Sequence, residues 1–422
     1  MFRSTKLLNH LQKETKLLAN RFSTGGQLYN TAANDVVIVS VARTPIGSFR
    51  SSLSPLSAPQ LGAIAIRGAI DRAGIKNEDI GEVMMGNVMQ SALRQAPTRQ
   101  AALGAGLPNT IVTTTINKVC ASGMKAIMLS AQTLMCGHQE VMIAGGMESM
   151  SNVPFYMKRG DTPYGGVKLE DGIVYDGLTD AYKLIHMGNC AENTAKKLGI
   201  SRQQQDEFAI NSYKRSANSA ANGVLAKEIV SVTIAGKKGA KDTIVSEDEE
   251  FKRVNFDKFS TLPTVFQRDG GTVTAANAST LNDGAAATLL MTRKLCDKLN
   301  LKPLARIVGF ADAAVDPIDF PIAPAYAIPK ILSKFNIKKE DIAMWEINEA
   351  FSAVVIANTQ MLDIDPTKVN VNGGAVSVGH PLGMSGARIV NNMALHLKPG
   401  QYGMAAICNG GGGASALLIE KL

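Results

Sequence analysis

Cys120 lies where a side chain could do chemistry. It stands in NKVCASG (117–123), directly before an apolar stretch that predicts a buried helix. The N-terminus of a helix stabilises an anion, so a thiol there can ionise more readily than an ordinary cysteine. Its own backbone N–H would also be free to donate. We interpret Cys120 as a candidate nucleophile; a small thiol of the core is the alternative.

His380 lies in a glycine-rich segment, GGAVSVGHPLGMSGAR (373–388), with Pro381 immediately after it. A histidine on a loop of this kind, just before a helix, is more often functional than one on an amphipathic helix face. It could act as the base that a cysteine nucleophile requires. We therefore consider His380 a partner for Cys120.

Cys408 precedes a run of four glycines in ICNGGGGASALL (407–418). We expect a strand to deliver this thiol, and the glycines to expose backbone N–H groups that can bind an oxyanion. A phosphate loop is the weaker alternative, because the Lys-Ser/Thr ending of a Walker motif is missing. Asn348, in EINEAFSA (346–353), ends another predicted strand. Its amide could hold a water or a carbonyl, or simply cap a helix.

The other cysteines, Cys136, Cys190 and Cys296, lie in helical or mixed contexts, and we interpret them as structural. Five cysteines in 422 residues do not make a disulfide scaffold. No spacing of cysteine and histidine suits a zinc site.

An internal repeat organises the elements that must position these residues. Four segments recur in the same order: 37–42 with 306–311, 75–80 with 337–342, 119–123 with 379–383, and 284–290 with 412–418. The separation falls sharply before the last pair, so the first half carries a long segment that the second lacks. Pseudo-twofold symmetry would place Cys120 and His380 at the starts of facing helices.

Short β-branched runs alternate with helical stretches in both halves, which predicts an α/β fold with largely parallel sheets. We expect these divisions: a leader at 1–34, an N-terminal half at 35–151 and 281–301, an inserted domain at 152–280, and a C-terminal half at 302–422. In the insertion, Ser201 and Gln204 predict the capped start of a helix that Gly223 ends.

The net charge of +8 is uneven, since residues 1–34 supply half of it. The charge therefore gives little support to a nucleic-acid partner. The leader is basic, poor in acidic residues and amphipathic, which is typical of a mitochondrial transit peptide. No apolar run reaches the length of about 18 residues needed for a membrane span, so we expect neither nucleic-acid nor membrane partners.

The motifs NKVCASG, NEAF, GGAVSVGHPLGMSGAR and CNGGGGASA, in that order, resemble the thiolase family over about residues 35–422. HMGNCAEN (186–193), TVTAANAST (272–280) and DPIDFPIAP (316–324) resemble its mitochondrial acetoacetyl-CoA branch most closely. The resemblance implies two βαβαβαββ halves in a five-layer αβαβα sandwich with an inserted loop domain. It also implies a homotetramer built from two dimers in the mitochondrial matrix.

The implied reaction is the reversible condensation of two acetyl-CoA molecules to acetoacetyl-CoA and CoA, in ketone-body metabolism and isoleucine degradation. By resemblance, Cys120 would be the acylated nucleophile, His380 would activate it, and Cys408 would exchange the α-proton. The N–H groups of Cys120 and Gly410 would form one oxyanion hole. His380, with a water held by Asn348, would form the other.

The resemblance also assigns the substrate and ion contacts. The CoA substrate would be contacted by His186, Met187, Tyr213, Arg253, Val254, Asn255, Lys258, Ser279 and Phe320. An activating potassium ion would be bound by the Tyr213 side chain and by the carbonyls of Ala275, Ala276, Ala278 and Val376. No organic cofactor beyond the CoA substrates is expected. Phe320 would border a site that accepts 2-methylacetoacetyl-CoA. Without the resemblance, we would interpret Arg253 and Lys258 as part of a solvated charged face.

Two other functions compete with the leading one. A longer-chain 3-ketoacyl-CoA thiolase of fatty-acid β-oxidation is the closer alternative, and His186, Met187 and Phe320 favour short chains over it. A non-catalytic protein that binds CoA or lipid on the same scaffold is the alternative of another class. It predicts binding without turnover, which is at odds with four intact catalytic motifs.

Overall fold

The computed structural model describes residues 35–161, 163–236 and 239–422, and the predicted leader at 1–34 lies outside the described residues. The strands are β1 (Val36–Arg43), β2 (Gly47–Ser48), β3 (Glu82–Gly86), β4 (Val112–Ile116), β5 (Val141–Ser149), β6 (Phe155–Tyr156), β7 (Glu170–Asp171), β8 (Val232–Ile234), β9 (Thr243–Val245), β10 (Asn282–Thr292), β11 (Ala305–Ala314), β12 (Ile342–Ile347), β13 (Tyr402–Asn409) and β14 (Gly413–Lys421). The α-helices are α1 (Ala58–Ala73), α2 (Pro97–Gly104), α3 (Ser122–Met135), α4 (Met187–Leu198), α5 (Arg202–Ala221), α6 (Arg293–Lys298), α7 (Pro324–Phe335), α8 (Ser352–Leu362), α9 (Ala375–Val378) and α10 (Leu382–His396).

The main sheet is mixed, and it consists of two halves. The strand order is β4-β3-β5-β10-β1 in the first half and β11-β14-β13-β12 in the second. A short antiparallel pairing of Val37 with Arg306 and Ile38 with Ala305 joins them. Among the described strands of this sheet, β3–β4, β3–β5 and β12–β13 are the parallel pairs.

The prediction of largely parallel sheets is therefore wrong, and the connections give the reason. A short turn links β13 to β14, and a hairpin of this kind forces an antiparallel pair. In the first half, β10 returns from the inserted segment and runs antiparallel to both β1 and β5. The alternation of strands and helices in the sequence did not reveal these two returning strands.

Five layers stack in the order that the resemblance implied. Helices α3 and α10 form the central layer, and they pack against strands of both sheet halves. Helices α1 and α2 cover the outer face of the first half, and α7 and α8 cover that of the second. Side chains of β1 alternate accordingly: Val36 and Ile38 face the central core, while Val37 and Val39 face the outer helices.

The internal repeat is visible in the backbone. A β-bulge interrupts β1 between Ile38 and Ser40, and another interrupts β11 between Ile307 and Gly309, at the equivalent position of the second copy. In both copies of the IK-x-EDI segment, the lysine N–H donates to the aspartate carboxylate three residues later. The predicted duplication is therefore confirmed.

The two central helices cross at their first turns. A Cβ on Gly123 would lie 2.7 Å from the Gly383 carbonyl oxygen and 2.9 Å from the backbone nitrogen of Ala387. A Cβ on Gly386 would lie 2.6 Å from the backbone nitrogen of Met124. Backbone atoms cannot yield as a flexible side chain can, so this crossing requires glycine. The helix starts face each other, as predicted for the cysteine and the histidine that precede them.

The inserted segment follows its predicted helix signals. The Ser201 hydroxyl accepts from the Gln204 N–H at 3.2 Å, and the Gln204 side chain accepts from the Ser201 N–H at 2.8 Å. Helix α5 then ends just before Gly223, which has φ 68°. The bounds of the insertion at 152–280 stay a prediction.

A buried ion cluster attaches the insertion to the core. Arg43, at the end of β1, is fully buried and makes two hydrogen bonds to the carboxylate of Asp248. Its Nε donates to Glu228 at 2.6 Å. Since both carboxylates come from the inserted segment, Arg43 connects this segment to the main sheet. Among the described residues, no helix is long and apolar enough to cross a membrane.

Candidate active site

Cys120 lies on a turn between β4 and α3, with only 9% of its surface exposed. Two backbone N–H groups, that of Gly410 and its own, lie near its sulfur and favour the thiolate. These are the two groups that the resemblance assigned to one oxyanion hole. They come from opposite halves of the molecule, since Gly410 belongs to the turn between β13 and β14.

The turn that carries Cys120 has a strained backbone. Val119 has φ 47°, a left-handed conformation that a β-branched residue rarely adopts. The Val119 N–H donates to the Asn117 side chain at 3.0 Å, and the Ser122 hydroxyl donates to the Val119 carbonyl at 2.6 Å. Backbone hydrogen bonds within the turn come from the N–H groups of Ala121 and Ser122. The Cys120 N–H is thereby left free to face the reacting atoms.

His380 is buried at the start of α10, and its imidazole has one hydrogen-bond partner. Nδ1 lies 2.6 Å from the Ser385 hydroxyl, while Nε2 has no partner among the described residues. The Ser385 hydroxyl is also 3.1 Å from the Pro381 carbonyl, to which it can donate. If it does so, it accepts from Nδ1–H, and the lone pair is left on Nε2. Asn282 accepts from the His380 backbone N–H at 3.0 Å and fixes the loop.

Cys408 and Asn348 lie at the same edge of the sheet. Strands β12 and β13 run parallel with Ile347 opposite Ala406, so the residues that follow are brought together. The Asn348 N–H donates to the Ala406 carbonyl at 3.0 Å, and its side-chain Nδ2 is buried without a partner in the described structure. Unsatisfied buried donors are rare, and the Asn348 amide is available to donate to a water or a substrate oxygen.

Cys120 lies close enough to Cys408 to affect its ionisation. Burial raises the pKa of Cys120 to about 12, and the two nearby N–H groups only partly oppose this. Burial, with Cys120 alongside, raises the pKa of Cys408 well above its ordinary range. Burial also lowers the pKa of His380 to about 4. The expectation that the helix N-terminus lowers the thiol pKa of Cys120 is therefore wrong, because desolvation exceeds the effect of the helix start.

Sequence reasoning missed Glu148, a fully buried carboxylate at the end of β5. One of its oxygens accepts from Asn87 Nδ2 at 2.9 Å and from the Met89 N–H at 3.2 Å. The other accepts from the Val88 N–H at 3.1 Å and from the Gly383 N–H at 2.9 Å. It thus joins the loop after β3 to the start of α10. Burial raises the pKa of Glu148 to about 7. A single carboxylate in the apolar run of β5 was the available signal.

The predicted acyl-pocket residues lie beside Cys408. Met187 and Phe320 are both buried, in the same hydrophobic cluster as Cys408. A Cβ on Gly410 would meet the Met187 sulfur at 3.5 Å, so Met187 borders the oxyanion donor as well. The His186 ring stacks on Phe266 at 4.7 Å, a contact that the sequence did not suggest. Burial lowers the pKa of His186.

The predicted CoA contacts form a more open group. Arg253 has 63% of its side chain exposed and pairs only weakly with Glu250, at 3.7 Å. Lys258 is also exposed, and Asn255 caps the short helix Phe256–Thr261 by accepting from the Asp257 N–H. Val254 is half-buried. In contrast, the Ser279 hydroxyl is already engaged, since it donates to the Ala350 carbonyl at 2.8 Å.

One predicted potassium ligand, Tyr213, lies on α5. Tyr213 is buried on this helix, and its ring meets those of Phe256 and Phe259 edge-on. Burial raises the pKa of Tyr213 to about 12, so its hydroxyl stays neutral.

Two segments that carry predicted carbonyl ligands are attached to α5. Asn277 donates to Asp206 of α5 at 2.8 Å. Ser212 donates to Glu349 at 2.7 Å, and the same Glu349 oxygen accepts from the Val376 N–H at 3.0 Å. Glu349, a further residue missed at the sequence level, therefore joins α5 to α9.

The chain matches two family models, "Thiolase, N-terminal domain" over residues 36–294 and "Thiolase, C-terminal domain" over residues 301–421. It is 70% identical to the mitochondrial acetyl-CoA acetyltransferase of Xenopus tropicalis, over 94% of each chain. It is 66% identical to that of Homo sapiens, over 92% of this chain and 91% of the relative. The crystal structure of the Acat5 thiolase from Ascaris suum in complex with coenzyme A superimposes with a TM-score of 0.88. That match has 46% identity and covers 92% of this chain and all of the other. The chain therefore belongs to the thiolase family.

Proposed function

We propose that this chain is a mitochondrial acetyl-CoA C-acetyltransferase, which reversibly condenses two acetyl-CoA molecules to acetoacetyl-CoA and CoA. Relatives 65–70% identical to it bear this activity and location in their names. One observation carries the proposal for the site. The Cys120 sulfur is faced by two backbone N–H groups and lies near a second buried thiol, Cys408.

The first half-reaction transfers acetyl to Cys120. The sulfur attacks the thioester carbonyl carbon, and a new S–C bond forms as the bond to the CoA sulfur breaks. The Cys408 thiol gives its proton to the departing CoA thiolate and is left as a thiolate. Nε2 of His380, which has no partner in the described residues, takes the thiol proton of Cys120 and keeps it, so that it can donate to an oxyanion in the next half-reaction. Since burial keeps both groups neutral at rest, the proton moves during the attack and not before it.

The second half-reaction forms the carbon–carbon bond. The Cys408 thiolate left by the first half-reaction takes an α-proton from a second acetyl-CoA, and the resulting carbanion attacks the acetyl carbonyl on Cys120. The Cys120 thiolate then leaves as acetoacetyl-CoA forms, and it takes back its proton from Nε2 of His380. Negative charge develops on two different oxygens, which explains two sets of donors: the N–H groups of Cys120 and Gly410, and Nε2 of His380 with a water held by Asn348. Loss of one such donor typically costs about 2.7–4 kcal/mol.

Met187 and Phe320 restrict the acyl group to short chains in this proposal. Both are buried beside Cys408, so an extended acyl chain would have to displace them. Turnover of acetoacetyl-CoA compared with a long-chain 3-ketoacyl-CoA tests this. Faster turnover of the long chain would make the chain a β-oxidation thiolase instead. Adding 2-methylacetoacetyl-CoA to the series tests whether Phe320 borders the methyl group.

We assign CoA binding to the inserted segment. The exposed cations Arg253 and Lys258 suit phosphate groups, and the adjoining Val254, Asn255 and Ser279 would line the path of the CoA arm. Changing Arg253 to Gln should raise the KM for CoA substrates more than it lowers kcat. The reverse pattern would place the phosphates elsewhere.

We also propose activation by potassium. In the described structure, the carbonyls of Ala275, Ala276 and Ala278 accept no backbone hydrogen bond, and such carbonyls suit a hard cation. Tyr213 and the Val376 carbonyl would complete the ligands. A bound potassium ion would supply local positive charge and hold these segments together. Potassium should raise the thiolysis rate or substrate affinity more than sodium at equal ionic strength. Equal responses to the two salts would contradict activation by potassium.

The assembly, the pathway and the leader are further parts of the proposal. We propose a homotetramer of two dimers, which light scattering would test, and roles in ketone-body metabolism and isoleucine degradation. Deleting residues 1–33 should leave an active enzyme that stays in the cytosol. If the shortened protein still entered mitochondria, the import signal would lie elsewhere.

The division of work between the thiols is tested by two variants. Cys120→Ala should abolish both acetyl-enzyme formation and condensation. Cys408→Ala should lower condensation by about 10²–10⁴, as is typical for loss of a general base, but still allow acetylation of Cys120. Intact-protein mass spectrometry after brief exposure to acetyl-CoA reads out the first step, and a condensation assay the second. An acetylated Cys120→Ala protein, or a Cys408→Ala enzyme condensing at the normal rate, would contradict these roles.

A further inference from the structure

The two N–H groups that face the Cys120 sulfur must be held in register across the two halves of the molecule. The Cys120 N–H belongs to the turn before α3, and the Gly410 N–H to the turn before β14. Hydrogen bonds within either turn cannot fix the distance between them. A contact that spans the two turns is therefore needed.

Lys118 makes such a contact. It lies two residues before Cys120, and its ammonium group reaches the start of β14 and the neighbouring β11. Nζ donates to the Asp312 carboxylate at 2.7 Å, to the Ser415 hydroxyl at 2.8 Å and to the Ala414 carbonyl at 3.0 Å. An ammonium group has three donors, so all three are used.

The receiving side of this contact is rigid. Asp312 and Ser415 are opposite each other in the β11–β14 ladder, and the Ser415 hydroxyl also donates to the Asp312 carboxylate at 2.7 Å. The other carboxylate oxygen accepts from Lys125, on α3, at 2.6 Å. Burial opposes ionisation of Asp312, but these hydrogen bonds prevail and lower its pKa to about 2. Asp312 therefore stays charged throughout the pH range of an assay.

The turn that carries Cys120 would relax without a contact from outside the turn. Val119, between Lys118 and Cys120, is held at φ 47°, and backbone in this conformation persists only where its surroundings enforce it. The Lys118 N–H also donates to the Ser122 hydroxyl at 2.8 Å. The backbone N–H and the side chain of Lys118 therefore both have fixed partners, and Lys118 directly precedes the strained Val119.

We propose that Lys118 is a positioning residue for acyl transfer: through Asp312, Ala414 and Ser415 it holds the Cys120 N–H in register with the Gly410 N–H, so that both donate to one thioester oxygen. The inference rests on the proposed function. Its chemical consequence is selective, because only reactions that develop charge on a carbonyl oxygen need the two donors. Simple alkylation of the Cys120 sulfur does not need them.

The test compares two reactions of the same thiol in the full-length protein. In Lys118→Met, acetylation of Cys120 by acetyl-CoA should slow by about 10–100-fold, the range expected when reacting groups are misplaced by about 1 Å. Alkylation of Cys120 by iodoacetamide should stay within about threefold of the unmodified protein. Rapid-quench mass spectrometry measures both rates, and circular dichroism checks that the variant is folded.

Lys125→Met is the matched control. It removes an ammonium group from the same carboxylate, but Lys125 lies on α3 beyond the turn, and in the described structure it makes no hydrogen bond to β14. Its acetylation rate should stay within about threefold of the unmodified protein. Asp312→Asn should reproduce the Lys118→Met defect, and the double variant should be no slower than the worse single variant.

The outcomes separate this inference from the function on which it rests. If the unmodified protein is not acetylated at Cys120, the proposed function fails. If it is acetylated and Lys118→Met is acetylated equally fast, only the positioning role fails. Equal slowing of acetylation and alkylation would also overturn the inference, because Lys118 would then support the general structure of the site. Equal defects in the Lys118 and Lys125 variants would do the same.

Discussion

Replacing the Glu148 carboxylate by an amide should destabilise the protein by an amount that its hydrogen bonds define. Each carboxylate oxygen accepts two hydrogen bonds, from Asn87 Nδ2 and the Met89 N–H on one side and from the Val88 and Gly383 N–H groups on the other. In Glu148→Gln one oxygen becomes an NH₂ group that can only donate. Two of the four donors then lose their acceptor.

The orientation of the new amide decides the cost. Facing Val88 and Gly383, the NH₂ group would leave two immobile backbone donors unsatisfied, at about 1–3 kcal/mol each. Facing Asn87, it can be accommodated, because the Asn87 Oδ1 has no partner in the described structure and the Asn87 amide can rotate towards it. The Met89 N–H alone then stays unsatisfied, and Asn87 gives up its 3.2 Å contact with the Met147 carbonyl. We expect the second orientation, with a net loss of about 2–3 kcal/mol.

Equilibrium unfolding in urea at about pH 8.5, where a carboxyl with a pKa of about 7 is ionised, measures this loss by tryptophan fluorescence and circular dichroism. Glu148→Ala, which satisfies none of the four donors, should be destabilised further. Glu82→Gln is the control, because it removes a carboxylate at the half-buried start of β3 and should change stability by less than about 0.5 kcal/mol. If Glu148→Gln unfolded at the same urea concentration as the unmodified protein, the proposed role of this carboxylate would be refuted.

Three further predictions concern the catalytic histidine, the helix crossing and the insertion. Ser385→Ala should lower kcat by about 10–100-fold with little change in KM, because the ring of His380 loses the hydroxyl to which it is hydrogen-bonded. In the unmodified protein, the acid limb of kcat/KM should lie well below pH 6.5, because the pKa of His380 is lowered to about 4. An unchanged kcat in Ser385→Ala would contradict the first prediction, and an acid limb near pH 6.5 would contradict the second. Gly123→Ala should sharply lower the thermal midpoint, because its Cβ would be 2.7 Å from the Gly383 carbonyl oxygen; an unchanged midpoint would show that the helices can separate. Arg43→Met should destabilise by about 3–5 kcal/mol in a urea titration, because two buried carboxylates lose their cation; a neutral effect would mean that they take up protons instead.

The sequence was most informative where a residue acts through its own backbone. The glycines after Cys408 and at the start of α10 indicate close approach, and the repeat predicts that Cys120 and His380 lie at facing helix starts. Both depend on local patterns that a single sequence retains. The same holds for the capped helix at Ser201.

Residues that act on another part of the chain could not be found in this way. Lys118 lies within the motif NKVCASG, but its partners lie 194 to 297 residues later in sequence. Glu148, Asn282 and Ser385 are polar residues without distinctive spacing, and their roles follow only from what they contact. The ionisation of Cys120 was predicted in the wrong direction for a related reason. The helix start is visible in the sequence, whereas the degree of burial that outweighs it is not.

The position of β14 has a consequence for how the active protein comes into being. This strand follows β11, β12 and β13 in sequence, yet it is inserted between β11 and β13 in the sheet. The second half cannot close while β14 is still in the ribosome or in an import channel, and until it closes, the turn that bears Gly410 has no fixed position. A chain in transit therefore carries its nucleophile without the Gly410 N–H, the second of the two donors that acyl transfer to this thiol requires. Acyl transfer should consequently appear late and all at once during refolding, after most of the secondary structure has formed, so that activity reports completion of the fold more strictly than circular dichroism does.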